Sequence, residues 1–125
     1  MERVAGRFKY LSILFLLIAF GRSVDGLAQS DIETKKIEFL LKEIESQNGA
    51  KFWRNNSSYS PKQAVEHLRM KWGKAGSAVK TARDFIDKIA SKSSMSGKSY
   101  LIEFEDGKKV ETNSFLYKKL GEWKP

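Results

Sequence analysis

The chain has 125 residues, a net charge of +8, one histidine and no cysteine. That length bounds it to one ordinary domain. The missing cysteine excludes thiol catalysis, cysteine-type zinc sites and disulfides, so the fold must stand on packing alone.

The first 28 residues read as a secretory signal. Arg3, Arg7 and Lys9 form a basic start, and Tyr10 to Phe20 form an uninterrupted apolar run. Gly26-Leu27-Ala28 then offers small residues at the two positions a signal peptidase reads, with cleavage after Ala28. As a helix the apolar run spans roughly 16 Å, about half of a bilayer core. Arg22 and Asp25 stop its extension. The alternative is an uncleaved anchor. A lipid-bearing cysteine is impossible. Residues 1–28 hold four basic and two acidic residues, which leaves +6 on residues 29–125. A basic exported domain is drawn to anionic envelope polymers or headgroups. The lysines are spread along the chain, however, so charge that serves only solubility is the simpler reading.

The predicted elements begin with a helix over residues 31–47. Ser30 and Glu33 form a capping box, Ile37, Leu40, Leu41 and Ile44 share one face, and Asn48-Gly49 ends it. Residues 50–54 read as a short strand or extended segment, and Asn55 to Ser58 as a polar turn. A second helix opens at Ser60-Pro61 with Gln63 completing the box, buries Ala64, Val65, Leu68 and Trp72, and ends at Gly73. Thr81 caps a third helix with Ala82, Phe85, Ile86, Ile89 and Ala90 on its apolar face. A serine-rich loop, Ser91 to Gly97, leads into a strand whose Tyr100, Ile102 and Phe104 point one way. Asp106-Gly107 predicts a two-residue hairpin turn, with a return strand to Glu111. Thr112 or Asn113 caps a last helix carrying Phe115, Leu116 and Leu120. The expected fold is a small single α+β domain over residues 29–125. It has about four helices packed with a C-terminal β-hairpin and room for a third short strand. Its core is Val65, Leu68, Phe85, Ile86, Ile89, Ile102, Phe104 and Leu116.

No motif carries a reaction. Gly97-Lys98-Ser99 ends like a phosphate loop, but Lys92 stands where the first glycine belongs and the triplet precedes a strand. His67 borders the apolar stripe of the second helix and reads first as a half-buried structural histidine. With one histidine and no cysteine, no metal site is expected. A hydrolase using a loop serine with His67 is the alternative, although no G-x-S-x-G elbow accompanies it. Asp84, Asp87, Glu103, Glu105 and Asp106 show no sign of the raised pKa a general acid needs. Phe52, Trp53, Arg54, Tyr59, Arg69, Lys71 and Trp72 interleave aromatic and basic side chains. In an exported protein that mixture suits glycans, anionic lipids or a protein better than nucleic acid.

Phe52-x-Arg54-Asn55, Ala64-Val65-x-His67-Leu68-Arg69-x-Lys71, Thr81-Ala82-x-x-Phe85-Ile86-x-x-Ile89-Ala90-Ser91-x-Ser93 and Ser96-Gly97-Lys98-x-Tyr100 together resemble the YfeK-like family of small exported bacterial proteins. The resemblance covers about residues 31–123 and implies a periplasmic protein. It brings no reaction, cofactor or catalytic residue with it. The expected function is a non-catalytic binding module for an envelope protein or an anionic envelope component. No cofactor, no catalytic residue and no membrane span after signal cleavage are expected. The candidate binding surface is Arg54, Tyr59, His67, Arg69, Lys71, Ser93, Ser96 and Lys98.

Overall fold

The computed structural model describes residues 29–125. The predicted signal segment and its Ala28 cleavage site lie outside the described residues. None of the described helices is long and apolar enough to cross a membrane. The chain divides after Ile32 into two units. The described residues of the first, 29–32, are helical.

The second unit, Glu33–Pro125, begins in helix. Its α1 covers residues 33–45. Ile37, Leu40, Leu41 and Ile44 are buried, as a stripe at i, i+3, i+4, i+7 requires. Two expectations for this helix are corrected. Ser30 and the residue before it are already helical, so Ser30 is not the cap. The end comes at 45 and not 47. The Ser46 hydroxyl and the Gln47 side-chain amide both donate to the Glu43 carbonyl, which takes the acceptor that another turn would use. Glu33 acts across the fold instead: its carboxylate accepts the Ala82 backbone N–H at 2.7 Å.

Two strands follow, β1 (Lys51–Arg54) and β2 (Ser57–Tyr59). The polar cluster is therefore only partly turn. Asn55-Asn56 makes the bend, with Asn55 at φ 57°, and Ser57 and Ser58 belong to the sheet. Helix α2 (Pro61–Ala75) starts on the predicted capping box of Ser60 and Gln63. It runs through Gly73 and exits at Gly76, where φ is +53°. The glycine at positive φ, not the first glycine met, sets the end.

After a 3₁₀ turn (Gly76–Ala78), Thr81 caps α3 as expected, and Asp84 completes a capping box with it. Only Ala82–Asp84 of α3 is α-helical, and Phe85–Ile89 widens into a π-helix. The Ala90 N–H reaches back to the Phe85 carbonyl at 3.1 Å, an i→i−5 bond. The Ser91 hydroxyl takes the Ile86 carbonyl at 2.6 Å. Ala82, Phe85, Ile86, Ile89 and Ala90 are all buried.

Strands β3 (Leu101–Glu103) and β4 (Lys109–Glu111) form the predicted hairpin. Its loop has three residues, not two. The Gly107 N–H donates to the Phe104 carbonyl and the Phe104 N–H to Lys108, with Gly107 at φ +85°. Helix α4 (Thr112–Glu122) follows directly, with Glu111 and neither Thr112 nor Asn113 at the N-cap position.

The fold class is α+β, as expected, but the hairpin does not stand alone. β1 pairs antiparallel with β3, giving one four-stranded sheet in the order β2-β1-β3-β4. A lone hairpin is marginal in water, and pairing with β1 supplies the missing partner. Phe52, Ile102 and Val110 align across the three strands. The predicted core residues all pack together, with Phe104 partly buried and the others buried. The α1 stripe joins them in the same core.

Candidate functional site

A cleft of about 330 Å³ is lined mainly by β1, β2 and α2, with Tyr100 and Thr112 contributed from either end of the hairpin. The strand pattern places its parts. Phe52 and Arg54 alternate onto one side of β1, and Tyr59 on β2 pairs with Phe52. On α2, Ala64, His67, Leu68 and Met70 line the opposite wall. Phe52 and Leu68 are buried, whereas Glu66 and Met70 stand at the rim, exposed.

Arg54 organises the polar end. Its Nη2 donates to the Tyr59 hydroxyl at 3.0 Å, and its guanidinium lies 5.1 Å from the centre of that ring. Its Nη1 is 3.1 Å from both ring nitrogens of His67. The two lone-pair directions of an imidazole diverge, so one nitrogen equidistant from both cannot serve both in the ring plane without striking Cε1. The guanidinium therefore lies over the imidazole face. Arg54 makes no ion pair among the described residues.

Lys71 works behind the cleft. Its ammonium donates to the Ile89 carbonyl at 2.8 Å, the Tyr100 hydroxyl at 3.0 Å and the Lys92 carbonyl at 3.3 Å. The Tyr100 oxygen accepts from Lys71, so its own proton is free to reach His67 Nε2, 3.4 Å away. Burial, and then Arg54, Lys71 and Lys74, hold His67 below the usual histidine range. The imidazole is thus neutral at pH 7 and surrounded by positive charge.

The eight candidate residues do not all converge. Arg54, Tyr59 and His67 meet in the cleft. Lys71 reaches it through Tyr100. Arg69 lies elsewhere, bidentate to Glu38 of α1 at 2.9 and 2.7 Å, and that contact lowers the Glu38 pKa. Ser93 is buried and its hydroxyl accepts the Ser96 N–H. The Ser96 hydroxyl donates to Asn55 at the β1–β2 turn, and Lys98 is exposed. Among the described residues no hydrogen bond joins His67 to a serine or a carboxylate. No group of three or more His, Cys, Asp or Glu side chains is placed to hold a metal ion among the described residues.

Two members of the site escape sequence reasoning. Tyr100 is legible only as an aromatic on an apolar strand face, although a hydroxyl among Ile102 and Phe104 is a signal that it needs a polar partner. Thr112 reads as a helix cap. In the fold it is the first residue of α4, 2% exposed, and its hydroxyl has no hydrogen-bond partner among the described residues. Trp53 Nε1 is the other buried side-chain polar atom without a partner among the described residues. Alternation sends the Trp53 ring to the other side of β1 from Phe52, with the Lys109 ammonium 4.9 Å from its centre.

Fold and cleft define a small α+β domain with a polar-ended apolar groove. The chain belongs to the family described as a family of unknown function, DUF5329, which matches residues 31–124. It is also 38% identical over 68 residues to the uncharacterized protein YfeK of Salmonella typhimurium (strain LT2). The matched part spans 54% of this chain and 57% of that protein, so the chain covers a little over half of its relative. No solved structure matches.

Proposed function

We propose that the chain is a non-catalytic binding protein of the bacterial periplasm whose ligand sits in the cleft between β1–β2 and α2. The observation that carries this is the convergence of Arg54, Tyr59 and His67 on a concave apolar groove of small-molecule size. Export rests on the signal-like first 28 residues, and the basic charge of the remainder favours an anionic envelope component as the ligand. The hydrolase alternative needs a serine and a carboxylate on opposite nitrogens of His67. His67 instead has Arg54 on its face and Tyr100 at Nε2.

The test is amide-proton NMR of the purified protein against a panel of anionic, neutral and cationic small molecules, each with one aromatic ring or short acyl chain. Saturable shifts at Phe52, Tyr59, His67 and Tyr100 are expected from at least one class. Shifts confined to other surfaces, or none at millimolar concentration, sink the proposal.

A further inference from the structure

Four features of the cleft point to one kind of occupant. The first is Arg54, a cation with no carboxylate partner among the described residues and N–H donors in reserve. The second is Thr112, a residue of the lining whose hydroxyl lies buried just behind that surface and has no partner among the described residues. The third is the start of α4 at that same residue. Glu111, in the N-cap position, makes no side-chain cap bond, so this helix end gets no side-chain acceptor from its own cap residue. The fourth is the apolar wall of Phe52, Leu68 and Met70 beside these donors.

We propose, resting on the binding reading above, that the cleft takes a small monocarboxylate with a flat or short apolar body. The carboxylate meets Arg54 and the Thr112 hydroxyl, and the body lies along Phe52 and Leu68. The charge of the rim selects a single negative charge. Glu66 lines the mouth and is exposed, and a second anionic charge on the ligand is repelled there. A guanidinium fork also matches a planar carboxylate better than a point charge does. Phosphate monoesters and polyanions are therefore disfavoured, since Lys71, the next cation, already has all three of its donors engaged.

The experiment compares phenylacetate, phenylacetamide and phenyl phosphate by NMR titration of the purified protein at pH 7. Phenylacetate is expected to shift the cleft residues saturably and to bind at least tenfold tighter than the uncharged amide. Arg54→Gln is expected to weaken it at least tenfold, and Thr112→Val at least threefold, with the amide spectrum otherwise unchanged. Equal binding of amide and acid in the cleft overturns the carboxylate assignment and leaves the binding reading standing. Tighter binding of phenyl phosphate overturns it in favour of a phosphate. Silence from all three probes also overturns it, and the wider panel then decides the binding reading separately. Should Arg54→Gln fail to fold, the isosteric Thr112→Val carries the test alone, and unchanged affinity in that variant counts against the proposal.

Discussion

Thr112 shows how a single hydroxyl can be retained at a cost to stability. A buried polar group without a partner is worth less to the fold than an apolar group of the same shape. Thr112→Val keeps the branched volume and removes the orphan oxygen. It is expected to leave the fold unchanged or stabilise it by about 1 kcal/mol, read as a higher urea midpoint at constant slope. A loss of more than about 1 kcal/mol means that the hydroxyl has a partner in solution. His67 makes the complementary case. Its neutral form faces Arg54 from β1, Lys71 and Lys74 from α2, and Tyr100 ahead of β3. In the unfolded chain histidine titrates near its ordinary value of about 6.5. The unfolded state then takes up a proton before the folded one, so stability present above about pH 6.5 is lost as pH falls through the lowered folded value. The melting temperature is expected to drop more between pH 7.5 and 5.5 in the wild type than in His67→Gln. Parallel drops in the two proteins contradict this.

At the scale of elements, the sequence was clearest where a cap and an apolar period agreed. Ser60 with Gln63 and Thr81 with Asp84 each started a helix where expected, because both signals act within one turn. Endings were less legible. Ser46 and Gln47 stop α1 by side-chain bonds that propensity does not reveal, and Gly73 sits quietly inside α2. The role of Glu33 lies 49 residues away in sequence, at the start of α3. Its carboxylate satisfies an orphan N–H at a positive helix end, with Lys36 3.3 Å away. Glu33→Ala is expected to cost on the order of 2 kcal/mol and Glu33→Gln clearly less, because the amide oxygen can still accept. Denaturant titration of both variants checks this, and equal losses would show that packing matters there rather than the bond. Arg69 and Glu38 tie α2 to α1 at the exposed surface, where such a pair contributes at most about 1 kcal/mol.

Across the whole molecule, the α+β class and the part of the core around Val65, Phe85 and Ile102 were readable, whereas the expected core left out the α1 stripe, Phe52, Tyr100 and Phe115 that complete it. Burial follows directly from apolar period. The sheet order was not readable. Strands of three and four residues carry little pattern, and β1 and β3 pair across a separation of about 47 residues that holds β2 and two helices. The site was half legible for the same reason. Arg54, Tyr59 and His67 lie within 14 positions of one another. Tyr100 and Thr112 arrive through the hairpin, whose placement depends on that long-range pairing. Ser96 and Asn55 join the serine loop to the β1–β2 turn from equally remote positions.

The widened turn at Phe85–Ile89 has a consequence for the cleft on the other side of α2. Its irregular end leaves the Ile89 carbonyl to Lys71, and Lys71 in turn fixes the Tyr100 hydroxyl against His67. The number of residues in that segment is therefore as consequential as their identity. Losing one would tighten the coil to its ordinary pitch, rotate the following carbonyls by roughly a quarter turn, and undo the cleft's polar end without altering any residue that lines it.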